Sequence, residues 1–273
     1  MEELEMKSRY RIYVMAAVFC AVCILPKTVL AADTEYNFNK KKTVSITKKN
    51  CYAESGNSTW LKYKPSADGY LTVCMKTPEG ATEFSKGYIA LFNSTKRMIL
   101  SSKTIFYHTV TSENPYWSQF VFGLKKGQTY YIRVRGENAV NVSRKFTKVN
   151  DKSGIVQTKA LNLKKNKAKI GLIPAGTYNA DWYKIKLTKN QKIRLYYNAK
   201  TSGTNSCFKL SVYSGKRLQA VKNIYYTVSK QRFTLCRYNP STRKTSSLEA
   251  GTYYIKIERA NSTSSGYYKL KWM

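Results

Sequence analysis

Histidine, proline and acidic side chains are what this chain has little of: one histidine, six prolines and 15 Asp+Glu in 273 residues. The lack of histidine matters first, because a nucleophilic triad rests on a base beside its nucleophile and metal centres draw on paired imidazoles. His108, in "FYHTV", has no second histidine and no partner motif, so it reads as an ordinary strand or loop residue. Beyond residue 32 there is no C-x-x-C pair and no acidic calcium loop, so the sequence calls for no metal and no cofactor. No carboxylate sits in a glycosidase-like motif either, and the chain is read as carrying no catalytic residues.

Negative charge is the second shortage. The chain holds 48 Lys+Arg against 15 Asp+Glu, a formal charge of +33. Such an excess works against folding through self-repulsion and points to acidic surroundings. It also exceeds the magnitude of roughly 2–8 that would suffice for solubility.

Long apolar runs are missing as well. The one run, Ile12 to Pro26, follows Lys7, Arg9 and Arg11. At about 15 residues it is short for a hydrocarbon core of roughly 30 Å. Val29-Leu30-Ala31 then supplies a small-residue cleavage pattern, so residues 1–32 read as a secretory signal peptide cut at Ala31 or Ala32. Cys20 and Cys23 lack the neighbours of a lipid-attachment site, and the mature protein is expected to carry no transmembrane anchor. A secreted or cell-surface location follows.

What is present is a period of two. Tyr183, Ile185 and Leu187 alternate with Trp182, Lys184 and Lys186, and Ile193, Leu195 and Tyr197 with Lys192, Arg194 and Tyr196. Leu210 and Val212, then Tyr253, Ile255 and Ile257, then Tyr268, Leu270 and Trp272 continue it. This is the pattern of half-buried strands, and no long helical period competes outside the leader.

The pattern is also written twice. "WLKYKPSADGYLTVCMK" matches "WYKIKLTKNQKIRLYYN", "IALFNSTKRM" matches "KLSVYSGKRL", and "LKKGQTYYIRV" matches "LEAGTYYIKI". A period of roughly 120 positions is far too long for a solenoid repeat, so each copy should be a domain with its own core. The expected fold is all-β: two tandem antiparallel β-sandwiches, jelly-roll-like, spanning 33–150 and 155–273. Turn-forming and polar residues between Asn150 and Asn162 mark the boundary.

"DWYKIKL", "SVYSGKRL" and "LEAGTYYIKIERANSTSSGYYKLKW" together resemble the pre-peptidase C-terminal domain, an accessory β-sandwich of secreted bacterial proteins. The second copy matches from about Ile170 to Trp272. The resemblance implies a bacterial extracellular module that helps its protein hold a surface or substrate.

Four cysteines lie beyond the leader: Cys51, Cys74, Cys207 and Cys236. An even number in an exported chain permits disulfides. The duplication suggests Cys51 with Cys74 and Cys207 with Cys236; four unpaired thiols are the alternative, since the positions do not match between copies. The glycosylation-type triplets at Asn57, Asn93, Asn141 and Asn261 read as plain loop residues in a bacterial protein.

Strand alternation throws Trp182, Lys184, Lys186, Lys192, Arg194 and Tyr196 outward, and the closing strands add Tyr254, Lys256, Tyr267, Lys269 and Lys271. Whether these share one sheet face is left open by alternation. Cations interleaved with rings suit an anionic polymer: ammonium groups meet the charge and rings stack on sugars or bases. The expected partners are cell-wall teichoic acid, acidic polysaccharide or other extracellular glycans, with nucleic acid bound only non-specifically. The function expected is thus non-catalytic attachment to anionic polymers. The alternatives are a carbohydrate-binding module using exposed tyrosines and a hydrolase with an unrecognised site.

Overall fold

A computed structural model of the chain describes residues 44–46, 51–53, 58–76, 85–107, 118–202, 208–225 and 228–273. The expected signal peptide, His108, Asn57 and Cys207 lie outside these residues.

Strands make up most of the described residues, and the one helical element among them is the single 3-10 turn Gln157–Lys159. The first half contributes β1 (Val44–Ser45), β2 (Cys51–Ala53), β3 (Ser58–Tyr63), β4 (Gly69–Lys76), β5 (Ser85–Phe92), β6 (Met98–Tyr107), β7 (Ser118–Leu124), β8 (Tyr130–Gly136) and β9 (Val140–Lys148). The second half contributes β10 (Leu161–Asn162), β11 (Lys169–Ile173), β12 (Asp181–Leu187), β13 (Ile193–Ser202), β14 (Phe208–Ser214), β15 (Arg217–Ile224), β16 (Val228–Leu235), β17 (Arg237–Asn239), β18 (Lys244–Ser246), β19 (Gly251–Arg259) and β20 (Ser265–Trp272).

Their pairing repeats. A five-stranded sheet runs β1-β3-β8-β5-β6 in the first half and β10-β12-β19-β14-β15 in the second. A four-stranded sheet runs β2-β9-β4-β7 in the first and β11-β20-β13-β16 in the second. The hairpin of β17 and β18 has no counterpart in that order. The sheets are antiparallel except at one edge, where β1 lies parallel to β3 and β10 parallel to β12. The chain crosses to the other sheet between those partners and so returns in the same direction.

Alternation decides what is buried. Tyr183, Ile185 and Leu187 of β12, Ile193, Leu195 and Tyr197 of β13, and Tyr253, Ile255 and Ile257 of β19 all enter one core with Leu210, Val212, Tyr268, Leu270 and Trp272. A separate core in the first half joins Leu61 and Tyr63 of β3 and Ile132 and Val134 of β8 to Leu71, Val73 and Met75 of β4. Both clusters draw on both sheets of their half, which is a sandwich arrangement. Each fully buried aliphatic side chain contributes about 1.5–3 kcal/mol by leaving water.

The halves touch through β4 and β7 on one side and β11, β13 and β20 on the other. Tyr70, Val121, Val149 and Leu172 are buried there with Tyr267 against them. The Ala175 N–H donates to the Gly123 carbonyl at 2.8 Å, and the Gly123 N–H donates to Ser265 Oγ at 3.2 Å. A Cβ at Gly123 would lie 2.3 Å from the Ile173 carbonyl oxygen, so only glycine admits this approach. The segment from Asn150 to Asn162, read as a boundary, is not a bare tether. Asp151 Oδ2 accepts from the Leu172 N–H at 2.9 Å, Ser153 Oγ donates to Asp181 Oδ1 at 2.7 Å, and Gly154 bridges to Trp182.

The suggested disulfides do not form. Cys74 and Cys236 are free cysteines. Cys51 pairs with Val142 of β9 while Cys74 pairs with Ser143, so β9 separates the strands that carry them. Two strand spacings, roughly 9–10 Å, exceed the Cα separation a disulfide spans. Asn93 and Asn261 are turn residues as expected, the Asn93 carboxamide oxygen accepting from the N–H groups of Thr95 and Arg97 and that of Asn261 from the Thr263 N–H, whereas Asn141, also read as a loop residue, lies within β9 between Tyr52 and Lys76.

Candidate binding faces

Ten of the eleven outward residues divide between opposite faces of the second half. Trp182, Lys184 and Lys186 on β12 and Tyr254 and Lys256 on β19 share the face of the five-stranded sheet. Arg194 and Tyr196 on β13 and Tyr267, Lys269 and Lys271 on β20 share the face of the four-stranded sheet. Lys192 belongs to neither array, since its ammonium donates to Thr245 Oγ1 of the β17–β18 hairpin at 3.1 Å. Tyr267 is not a free platform: its ring lies 5.2 Å from that of Tyr70 in the contact between halves. A single surface built of Lys184, Lys186, Lys192 and Arg194 is therefore ruled out, because β12, which carries Lys184 and Lys186, and β13, which carries Arg194, lie in different sheets.

The four-stranded face is a cation array. Register sets Tyr196 beside Lys271 and Arg232, Asn198 beside Lys269, and Lys200 beside Tyr267. Arg194, Lys200, Arg232 and Lys269 are exposed, and Lys271 is partly so, with its Nζ 5.6 Å from the Tyr196 ring centre. Neither Asp nor Glu occurs in β11, β13, β16 or β20. Sequence reading missed Arg232 because β16 had not been assigned as a strand next to β13.

The five-stranded face is mixed. The rings of Trp182 and Tyr213 lie 5.5 Å apart, Lys256 Nζ is 5.7 Å from the Trp182 ring centre, and Lys256 pairs with Glu258 at 2.6 Å. Tyr213 was absent from the expected set, although alternation with the core residue Val212 in "SVYSG" marks it as outward.

Chemistry of another kind lies inside the second half. Tyr268 donates its hydroxyl to Asp181 Oδ2 at 2.6 Å, and the Tyr183 hydroxyl lies 2.7 Å from that of Tyr268. Burial, helped by the charge of Asp151, pushes the Asp181 carboxyl up to about 7. Burial likewise drives the Tyr183 and Tyr268 hydroxyls upward. A perturbed carboxyl is a common sign of a working acid or base. Here both oxygens are taken, one by Ser153 and one by Tyr268, and the residue is only 5% exposed. The group is a buried anchor for the segment that joins the halves. Among the described residues no cluster of three His, Cys, Asp or Glu could hold a metal ion, and no helix is long and apolar enough to cross a membrane.

No family model matches the chain, and no curated protein matches it. Similar solved structures include tripeptidyl peptidase 2, at 12% identity and a TM-score of 0.30, covering 82% of this chain and 22% of that one. Another is the M60 catalytic domain with the CBM51-1 and CBM51-2 domains of ZmpB from Clostridium perfringens, at 9% identity and a TM-score of 0.25, covering 81% and 33%. A third is the tandem CBM22-1-CBM22-2 domain of Xyn10C from Paenibacillus barcinonensis, at 11% identity and a TM-score of 0.25, covering 82% and 83%. This chain spans well under two thirds of the first two. Similarity at these values carries no weight for function, and the functional reading rests on the surfaces themselves.

Proposed function

We propose that this is a non-catalytic bacterial attachment protein, secreted or held at the cell surface, whose second half binds anionic extracellular polymers. The observation that carries the reading is the face of β13, β16 and β20, where Arg194, Lys200, Arg232, Lys269 and Lys271 stand together on strands without a carboxylate. A polyanion laid across such an array displaces its own condensed counterions, so binding is driven by salt release and needs neither ring nor sequence specificity. Cell-wall teichoic acid and acidic polysaccharide fit that chemistry. The two halves act as tandem modules of the pre-peptidase C-terminal kind; the repeated strand order and the two separate cores support that proposal.

The test is binding of the full chain to inorganic polyphosphate, a polyanion with no rings, across a salt series. Affinity should fall as a power of salt concentration. The triple variant Arg194→Glu, Arg232→Glu, Lys269→Glu should lose most of the affinity while keeping its fold, because all three side chains are exposed. Wild-type affinity in the folded triple variant would remove this face from consideration, and absence of binding at low salt would defeat the polyanion reading.

A further inference from the structure

The face of the five-stranded sheet in the second half has a different composition, and that composition is duplicated. Trp182, Lys256 and Ser211 lie side by side across β12, β19 and β14, and Lys184, Tyr254 and Tyr213 form the neighbouring row. In the first half the same register places hold Trp60, Arg133 and Ala90, then Lys62, Tyr131 and Phe92. A tryptophan, a cation, a lysine, a tyrosine and a second ring thus recur at outward positions. Folding a sandwich demands apolar residues only at the inward ones. The contacts recur too: the ring centres of Trp60 and Phe92 are 4.9 Å apart and those of Trp182 and Tyr213 5.5 Å apart. The cation touches a different ring in each copy: Arg133 stands 5.7 Å from the Phe92 ring centre, whereas Lys256 stands 5.7 Å from that of Trp182.

The two versions differ in access. Trp60 is 5% exposed, Phe92 3% and Arg133 5%, so the tryptophan, the second ring and the cation of the first copy are sealed, while Lys62 is exposed and Tyr131 partly so. Trp182, Tyr213, Tyr254, Lys184 and Lys256 are all partly exposed. Beside them the turn Gln157–Lys159 packs on β12, and the Gln157 carboxamide donates to the Gly215 carbonyl at 2.6 Å. That segment therefore reaches from β12 to the turn between β14 and β15. Lys256 and Glu258 each keep 24% of their side chains exposed. A cationic donor and an anionic acceptor stand side by side.

We infer that this open face of β12, β19 and β14 is a binding site for an anionic polysaccharide, with pyranose rings on Trp182, Tyr213 and Tyr254. The C–H face of a pyranose is apolar and flat enough to stack on such rings, while its hydroxyls both donate and accept, which Lys256 and Glu258 match. Lys184, Lys186 and Lys209 surround the rings, and Glu258, beside Lys209, is the one carboxylate on these three strands' outward side. Their positive excess selects sugars that carry carboxylates over neutral ones. The site uses residues and a force distinct from those of the cation array on the opposite sheet.

Three polymers separate the two sites in the full chain: polygalacturonate, with rings and charge; inorganic polyphosphate, with charge alone; and dextran, with rings alone. Trp182→Ala should weaken polygalacturonate binding about tenfold, the equivalent of losing one stacked ring, and leave polyphosphate binding unchanged. Tyr254→Ala serves as the second variant, with circular dichroism confirming the fold of each. The triple variant of the cation array should lose polyphosphate binding and keep the ring-dependent share of polygalacturonate binding, so that adding Trp182→Ala to it still weakens polygalacturonate about tenfold. The inference is overturned if the folded variants bind polygalacturonate as wild type does, if wild type binds dextran as tightly as polygalacturonate, or if Trp182→Ala has no further effect on polygalacturonate binding in the triple-variant background.

Discussion

Trp60 and Trp182 occupy the same place in two copies of one sheet, each beside a cation on the neighbouring strand and a ring one strand further on. One is sealed and the other lies open. A second contrast lies within the cores. Asp181 and Tyr183 on β12 and Tyr268 on β20 form a buried polar chain, whereas the register places Thr59 and Leu61 on β3 and Val140 on β9 at the corresponding sites. Strand order and register recur between the halves. What has diverged is what covers each sheet and whether polar groups are kept inside, and both bear on what the halves can do. Among the described residues, Trp60 is covered in the first half and Trp182 is partly exposed in the second.

The tryptophans provide the sharpest break in that comparison. Trp60→Ala should cost about 3–5 kcal/mol of stability, as expected for a buried ring. Trp182→Ala should cost about 1 kcal/mol, measured by urea unfolding of each variant. Equal costs would erase the distinction between the sealed face and the open one.

The polar chain is the next handle. The Asp181 carboxyl titrates at about 7 when folded and from an ordinary 3.8 when unfolded. The folded state therefore binds the proton more tightly. Its stabilising contribution is complete below pH 4 and is lost as pH rises through 7, with a slope of up to about 1.4 kcal/mol per pH unit in between. Unfolding midpoints across that window should drift downward in wild type and flatten in Asp181→Asn. A drift that persists in the variant would assign the titration elsewhere.

The contact between the halves comes third. Gly123→Val forces a side chain against the Ile173 carbonyl and should cost about 1–3 kcal/mol, the range for overpacking. The two cores should then unfold in separate transitions if each is self-sufficient. A single cooperative transition in the variant would instead make the halves one folding unit.

The smallest effect is expected at the thiols. Cys74→Ser and Cys236→Ser should each change stability by about 0.5 kcal/mol or less, where loss of a native disulfide would cost about 2–5 kcal/mol.

Much of the fold was legible before any coordinates. The inward set of Tyr183, Ile185, Leu187, Ile193, Leu195 and Tyr197 is buried throughout, because alternation is a property of the strand backbone and needs no knowledge of neighbours. Less of the site was legible. Alternation says that Lys184 and Arg194 both leave the core, yet it is silent on which sheet each strand joins, and they face opposite ways. Asp181 reads in "DWYKIKL" as a polar residue opening a strand. Its burial depends on Tyr268, 87 positions away, and on Ser153 in the connecting segment.

Local spacing along the chain was enough for the all-β class and for the inward and outward phase of β12, β13, β14, β19 and β20. Only the tertiary structure decided that the basic residues form two faces, that Tyr267 is spent on the contact with the first half, that Cys74 and Cys236 are unpaired, and that the Trp182 face is open while its twin is closed. Those outcomes depend on which strands become neighbours and on what packs above them. Both are set by contacts between residues far apart in the chain, where periodicity carries no information.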